Sequence, residues 1–371
     1  MKTIIVCVTS DLATDNRVLR HCDLMHQMGF KVLLVGRKLP WSPAIPDLPY
    51  ATHRVKLPFH QGPLFYFSYN LWLFFFLIFH KTTVVWANDL DTVLPCFIIS
   101  KIRGQALVMD SHELFTEVPE LRDSPFKRSI WKFIEKYVSV KATIFITVNQ
   151  SIAKIFQEKY RIVPKIVRNI PKRVALAPAH EKHLIGIPED HLVVIIQGSG
   201  INKGRGLDET LDAINTLNGV SLLIIGGGNA INEAKQKTNS LGLQTKVHFI
   251  PRVPYQKMMQ YTQMAAIGLA YDADPCLNFH YALPNKIFDY FHAGVAVISG
   301  PQPEISNLVS TYECGYLMKS ISPESIRWAI SFYQKHPELL SLHQRNSKKA
   351  AEIEHWDNEK KHLENILYTL M

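Results

Sequence analysis

Short apolar runs, each followed by a polar or glycine-rich turn and then a helical stretch, recur along this chain in two series. That alternation limits the architectures open to it. In the first series, residues 3–8 read as a strand, 9–15 as a polar loop and 16–28 as a helix. In that helix Val18, Leu19, Leu24, Met25 and Met28 recur at helical spacing and Gly29 ends it. Strands are predicted at 31–35, 84–87, 106–110, 143–148 and 165–168, with helices at 92–101, 126–141 and 151–157 between the later ones. Residues 40–63 are proline-rich and read as irregular. A linker near 171–190, carrying Pro171, Pro178 and Pro188, interrupts the alternation. It resumes with strands at 192–197, 221–225, 247–250, 267–270 and 295–298 and ends in a helical tail from about residue 325. Strands that alternate with helices build parallel sheets, because parallel neighbours need a crossover connection. The expectation is therefore α/β: two Rossmann-like domains, 1–172 rejoined by 353–371, and 190–352. Ligands of open parallel sheets bind beyond the carboxyl ends of the strands, which points to a cleft between the domains.

Charge narrows the partners without choosing one. The net charge of +9 over 371 residues favours nucleotides, nucleic acid or acidic membranes. The five cysteines are scattered with no CxxC pair, which reads as reduced thiols of a cytoplasmic protein. Lys2 is followed by only a short apolar run and then Asp11 and Asp15, so the start reads as a buried strand and not as a signal peptide. Residues 57–79 contain no Asp, Glu, Lys or Arg, but Pro58, Gly62 and Pro63 break the front. The part from Leu64 falls short of the ~20 apolar residues of a span, so a buried or membrane-surface helix is expected. Residues 126–141 interleave Lys127, Arg128, Lys132, Lys136 and Lys141 with Phe126, Trp131, Phe133 and Tyr137, a pattern suited to an anionic bilayer surface.

The polar motifs fall at the strand ends. Leu283-Pro284-Asn285-Lys286 leads into a helix carrying Asp289 and Tyr290, with Pro284 in its first turn and Gly294 as its left-handed cap. Such a corner favours an anion through its free N–H groups and the helix dipole. A tight turn over 198–206 adds glycines and two cations, Lys203 and Arg205, at the mouth of another helix. Gly226-Gly227-Gly228 closes the next strand; it is not a full GxGxxG, and no clear ribose-binding acid follows at the usual distance, which makes a dehydrogenase a poor fit. Asp89-Leu90-Asp91 is formally a DxD, read here as a helix cap, with Asp272-Ala273-Asp274 treated alike. Asp15 is likewise placed to cap its helix.

Taken in order, these motifs resemble glycosyltransferase family 4 of the GT-B fold. The similarity runs through Asp15-Asn16-Arg17-Val18, Ala87-Asn88-Asp89-Leu90-Asp91-Thr92, Asp110-Ser111-His112-Glu113-Leu114-Phe115 and Asn169-Ile170-Pro171. It continues in Asn202-Lys203-Gly204-Arg205-Gly206-Leu207, Ile225-Gly226-Gly227-Gly228 and the stretch from Pro284 to Gly294. The resemblance implies sugar transfer from a UDP- or GDP-linked donor, with retention and without a metal, to a glycan or lipid-linked acceptor in cell-surface glycan synthesis. It places Lys203 and Arg205 on the leaving diphosphate, where fixed cations stabilise developing charge, and His112 where it would orient or deprotonate the acceptor hydroxyl. Gly198, Ser199, Gly226, Gly228, Tyr281, Asn285 and Lys286 would bind the donor, and Asp289 its ribose. Asp15, Asn16, Arg17, Asp89 and Glu113 would lie on the acceptor side. Ser199 stands where the family usually has an arginine, a charge Arg205 is the candidate to supply, and Tyr281 and Asp289 stand where it usually has two glutamates. A sugar-nucleotide epimerase on the same fold, or a non-catalytic membrane- or nucleic-acid-binding protein, are the alternatives; no nucleic-acid module is recognisable.

Overall fold

Strands buried on both faces organise each half of the chain. The computed structural model describes residues 2–122, 124–173 and 175–371. They divide into two units, Met1–Asn169 with Glu359–Met371, and Ile170–Asn358.

The first unit runs β1 (Thr3–Asp11), α1 (Asn16–Gln27), β2 (Lys31–Arg37), β3 (Ala51–Val55), α2 (Gly62–Phe79), β4 (Val84–Asn88), α3 (Leu90–Arg103) and β5 (Ala106–Ser111). It continues with α4 (Pro119–Arg122), α5 (Pro125–Ser139), β6 (Ile144–Thr147), α6 (Gln150–Tyr160) and β7 (Lys165–Ile166). The strands form one parallel sheet in the order β3-β2-β1-β4-β5-β6-β7. β4 is buried along its whole length, as its unbroken run Val84-Val85-Trp86-Ala87 requires of a central parallel strand. The chain winds one way from β1 to β3 and the other way from β4 to β7, so the strand order reverses between β1 and β4. Right-handed crossovers then place α2, α3, α5 and α6 on one face and α1 on the other. α1 starts where expected: the Asp15 carboxylate accepts from the Val18 N–H at 3.2 Å and from Ser10 Oγ at 2.6 Å. Such a cap contributes ~1 kcal/mol.

β3 lies inside the stretch read as irregular. It is an edge strand of polar, half-exposed residues, so no apolar run marks it. The C-terminal helix α15 (Trp356–Tyr368) delivers Glu359 to the first unit. Its buried carboxylate takes the Arg168 backbone N–H at 2.7 Å and the guanidinium at 2.8 Å.

The second unit holds β8 (Leu192–Gly198), α7 (Leu207–Asn215), β9 (Val220–Gly226), α8 (Ile231–Ser240), β10 (Val247–Ile250), α9 (Tyr255–Thr262) and β11 (Ile267–Ala270). α10 (Leu277–His280), α11 (Lys286–Ala293), β12 (Ala296–Ser299), α12 (Pro303–Tyr312), β13 (Gly315–Leu317), α13 (Pro323–Lys335) and α14 (Pro337–Ala351) follow. Its parallel sheet has the order β10-β9-β8-β11-β12-β13, reversing between β8 and β11. Two apolar clusters cover its faces, one around Leu211, Leu222 and Ile330, the other around Phe288, Tyr290 and Phe291. α11 begins at Lys286, two residues beyond the Pro284 that the sequence places in its first turn: Pro284 precedes the helix, Asn285 is its N-cap residue, and Gly294 closes it with φ +69°. All five cysteines are buried free thiols.

Candidate active site

In the first unit the polar strand ends gather where the strand order reverses. Asp110, at the end of β5, is fully buried and is the hub. Arg17 reaches it from α1, with Nη2 at 2.7 Å and Nε at 3.3 Å, and spends Nη1 on the Val167 carbonyl at 2.8 Å. His21, one turn further along α1, lies 3.3 Å from the same carboxylate, and His112 Nε2 lies 3.4 Å from it. His112 is held on its other side by Asp89: ring Nδ1 is 3.0 Å from Oδ2, and the His112 backbone N–H donates to Oδ1 at 2.7 Å. Asp89 takes φ +58° with ψ 171°, an extended positive-φ conformation that costs a non-glycine residue ~1–3 kcal/mol.

This geometry sorts the expected roles. Arg17 is only 4% exposed and is committed to Asp110, so it braces the unit and does not line an open face. Asp89 sits at the N-cap position of α3 but makes no side-chain cap hydrogen bond; its carboxylate belongs to His112, which replaces the capping role. Asp91 is 7% exposed and accepts from Thr9 Oγ1 of β1 at 2.5 Å. Asn16 is exposed, Asp15 and Glu113 half-buried.

The two histidines on Asp110 are driven apart. Burial, helped by the Arg17 charge, lowers His21 to about 4, so it is neutral. Burial would also lower His112, but Asp89 and Asp110 on either side outweigh it and raise it to about 10. A fifth of the His112 side chain is open to solvent, which screens part of that effect. His112 is therefore a cation at neutral pH: it can donate a hydrogen bond, and as held here it does not fit the role of a base. Burial, then the neighbouring Asp89, raises Asp91 to about 7.

In the second unit, the turn after β8 packs backbone to backbone on the turn after β9. Gly226 and Gly228 have φ +128° and +156°, and a Cβ at either would fall 1.9 Å from the Gly198 carbonyl oxygen or 2.1 Å from that of Ile201. Only glycine permits this approach. Ser199 is exposed at the tip. Arg252, at the end of β10, donates from Nη2 to the Ser199 carbonyl at 2.5 Å. A guanidinium thus stands over the Ser199 turn, supplied by a residue the sequence reading missed. The signal was its position at the end of the next strand, Pro251-Arg252-Val253-Pro254.

Lys203 and Arg205 do not act as a pair. The Lys203 ammonium is 2.6 Å from Glu233 on α8, both largely exposed, beside a cavity of about 140 Å³ that Asp208 and Glu209 also line. Arg205 turns the other way, stacking 4.3 Å from the Phe279 ring centroid and lying 3.6 Å from Asp272 beyond β11. The turn between them is pinned there by the N–H groups of Ala273 and Asp274, both donating to the Gly204 carbonyl. Asp272 is 4% exposed; burial raises its pKa, against the pull of Lys286 and Arg205. Burial lowers Lys286, Asp272 acting against it and Arg205 with it. Arg205, Asp272 and Lys286 thus form one charge cluster at the strand-order reversal.

Asp289 is 6% exposed, with Tyr255 Oη donating to it at 2.8 Å and Gln197 Nε2 at 3.0 Å. Burial raises it to about 6 against these hydrogen bonds. Both oxygens are engaged inside the unit, so this structure does not present Asp289 to a ribose. Asn285 is exposed and Tyr281 half-buried, its ring edge-on to His280 at 4.7 Å. Among the described residues no three His, Cys, Asp or Glu side chains converge as a metal set.

Comparison with known proteins follows the two units. The family described as Glycosyltransferase Family 4 matches residues 15–176, and that described as Glycosyl transferases group 1 matches residues 181–352. No curated protein matches significantly. Among solved structures, sucrose-phosphate synthase from Thermosynechococcus elongatus is similar at TM-score 0.81 and 15% identity, over 100% of this chain and 99% of that one. HepE from Anabaena, solved with UDP and glucose, is similar at 0.72 and 13%, over 100% and 99%. WaaG, a glycosyltransferase involved in lipopolysaccharide biosynthesis, gives 0.69 and 14%, over 98% of each chain. At these identities the shared property is the fold.

Proposed function

The chain belongs to glycosyltransferase family 4, with the GT-B fold, and on that premise we propose that it moves a sugar from a nucleoside-diphosphate donor to an acceptor hydroxyl, with retention and without a metal. The observation that carries the donor assignment is the pair of glycine turns after β8 and β9, whose backbones touch at Gly198 and Gly226. An open, N–H-rich loop at a strand-order reversal suits a diphosphate. Arg252 stands over it, and Arg205 and Lys286 lie at the same end of the sheet. Lys286 carries a desolvation cost that a bound dianion offsets. HepE binds UDP and UDP-glucose, which makes UDP the first nucleotide to test.

In the transfer, the bond from the sugar C1 to the diphosphate oxygen breaks and a bond from the acceptor oxygen to C1 forms on the same face. The acceptor proton passes to the departing diphosphate oxygen, so no side-chain base is required. Arg252, Arg205 and Lys286 stabilise the charge that develops there. His112, held as a cation between Asp89 and Asp110, supplies positive charge on the acceptor side. The acceptor is a growing cell-surface glycan or its lipid-linked form.

The test is a melting-temperature screen with UDP, GDP and their sugars, since a ligand of the folded state alone raises the transition. One nucleotide class should raise it, and Arg252→Ala and Lys286→Ala should reduce the shift. Absence of a shift with every nucleotide would sink the donor site.

A further inference from the structure

Three neighbouring helices of the first unit carry exposed apolar ridges. On α2 the ridge is Leu64, Phe67, Leu71, Phe75 and Phe79, at spacings of three and four, and the helix holds no charged residue. On α3 nearly everything is buried except Leu94, Ile98 and Ile102, with Lys101 and Arg103 at the end. On α5 and its cap the ridge is Phe126, Ile130, Phe133, Tyr137 and Val140. At ~100° per residue these five fall within an arc of ~80°, and Lys127 and Lys136 flank it on opposite sides. The helices adjoin: Tyr66 of α2 meets Trp131 of α5 at 5.7 Å, Phe97 of α3 meets Tyr137 of α5 at 5.5 Å, and Arg103 of α3 donates to the Leu77 carbonyl of α2 at 3.0 Å. All three lie on one face of the sheet, so their ridges form a single apolar surface.

The charges choose its occupant. The acidic residues of these helices, Asp91 and Glu135, are buried, the latter holding Lys159 at 2.6 Å, so the exposed charges on the three helices are basic. An apolar face rimmed by lysines complements a bilayer with anionic headgroups. α2 is long and apolar enough to cross a membrane, but as the β3-to-β4 crossover it is fixed to the sheet through buried Phe65, Tyr69, Leu73 and Leu77. We propose that this face seats the enzyme on an anionic lipid surface, α2, α3 and α5 lying in the interface with their aromatic ridges inserted. The inference does not depend on the donor assignment.

The test is co-sedimentation of the full chain with vesicles of mixed phosphatidylcholine and phosphatidylglycerol, and of phosphatidylcholine alone. The wild type should bind the mixed vesicles preferentially. Phe67→Ser/Phe75→Ser/Phe133→Ser should weaken that binding about tenfold or more, and Lys127→Gln/Lys136→Gln about thirtyfold, equivalent to about 1 kcal/mol per lysine. These residues are exposed, so melting temperature and the nucleotide-induced shift should stay at wild-type values; loss of that shift in the wild type would count against the donor site alone. Equal binding to neutral vesicles, or mixed-vesicle binding unchanged in either variant, would overturn the proposal. So would a wild-type dimer that ignores vesicles and becomes monomeric in the triple variant, which would assign the face to a second copy.

Discussion

Asp110→Asn is the sharpest probe of the first unit. The carboxylate is fully buried and meets Arg17 at 2.7 Å, with His21 at 3.3 Å and His112 at 3.4 Å. Two cations balance it, and they hold its pKa well below the usual range although burial alone would raise it. The amide removes the charge and leaves Arg17 buried with the Val167 carbonyl as its remaining strong acceptor. Breaking one side of a buried pair costs about 3–5 kcal/mol; the retained amide oxygen argues for the lower end, about 3 kcal/mol. With a urea slope of about 2 kcal/mol/M, the transition of this unit should move down by about 1.5 M. Trp86, buried in β4 and edge-on to His21 at 6.2 Å, reports that transition by fluorescence. A second signature separates this network from a general loss of packing. His112 loses one of its two anions, so its NMR titration should fall from about 10 while Asp89 keeps it above an ordinary histidine. The sign for stability follows from the raised pKa: the contribution is complete below about 6.5 and is lost as pH rises towards about 10. Wild type should weaken over that window and Asp110→Asn should show a shallower slope. An unmoved His112 titration together with an unchanged urea midpoint would refute this reading.

Other perturbations address the remaining claims. Asp91, raised to about 7, makes folding less favourable as pH rises from its unfolded value through about 7; Asp91→Asn should therefore melt higher than wild type at pH ~8, by the equivalent of up to about 4 kcal/mol, with no gain near pH ~4. Gly226→Ala would bring a Cβ to 1.9 Å from the Gly198 oxygen, so nucleotide-induced stabilisation should vanish and the melting temperature fall, by the equivalent of about 2 kcal/mol or more. Arg205→Ala should reduce transfer by about a hundredfold if Arg205 meets developing charge, whereas Lys203→Ala, already paired with Glu233 at the surface, should change it by less than about threefold; the reverse ranking would restore Lys203 to the site.

Much of the architecture is legible in the sequence because central parallel strands announce themselves. Val84 to Ala87 and Leu192 to Ile196 are unbroken apolar runs, and each polar motif follows one. Edge strands give no such signal: β3 is half polar, and β13 is three residues long with none of them buried. Side-chain commitments were the least legible part. Nothing in Asp89-Leu90-Asp91 tells that Asp89 turns to His112, and Asp91 to Thr9, because both partners are distant in sequence. Lys203 and Arg205 are two residues apart, yet they leave the turn towards Glu233 and Asp272. The missed Arg252 had the right address, a strand end, but no motif around it.

The same device appears in both units, and exposure decides what it does in each. A buried carboxylate at a strand end, Asp272 beside the strand-order reversal of the second unit and Asp110 one strand from that of the first, gathers cations from other elements. In the first unit the principal cation, Arg17, is buried and donates to fixed acceptors from three nitrogens, so its energy goes into holding the unit together; only His112 keeps an open side. In the second, Arg205 is about a third open, 3.6 Å from its acid, and lacks a hydrogen-bond partner at Nε. Asp272 likewise keeps Oδ1 without one. A loosely held pair of this kind loses little when a diphosphate takes over the cation, whereas the tight pair of the first unit would lose several kcal/mol. Of the two, the second unit is thus the better suited to give up a cation to an anion, in line with the donor site proposed there. The network around Asp110 instead sets the charge and position of His112, whose Nδ1 faces Asp89 at 3.0 Å and whose Nε2 lies 3.4 Å from Asp110.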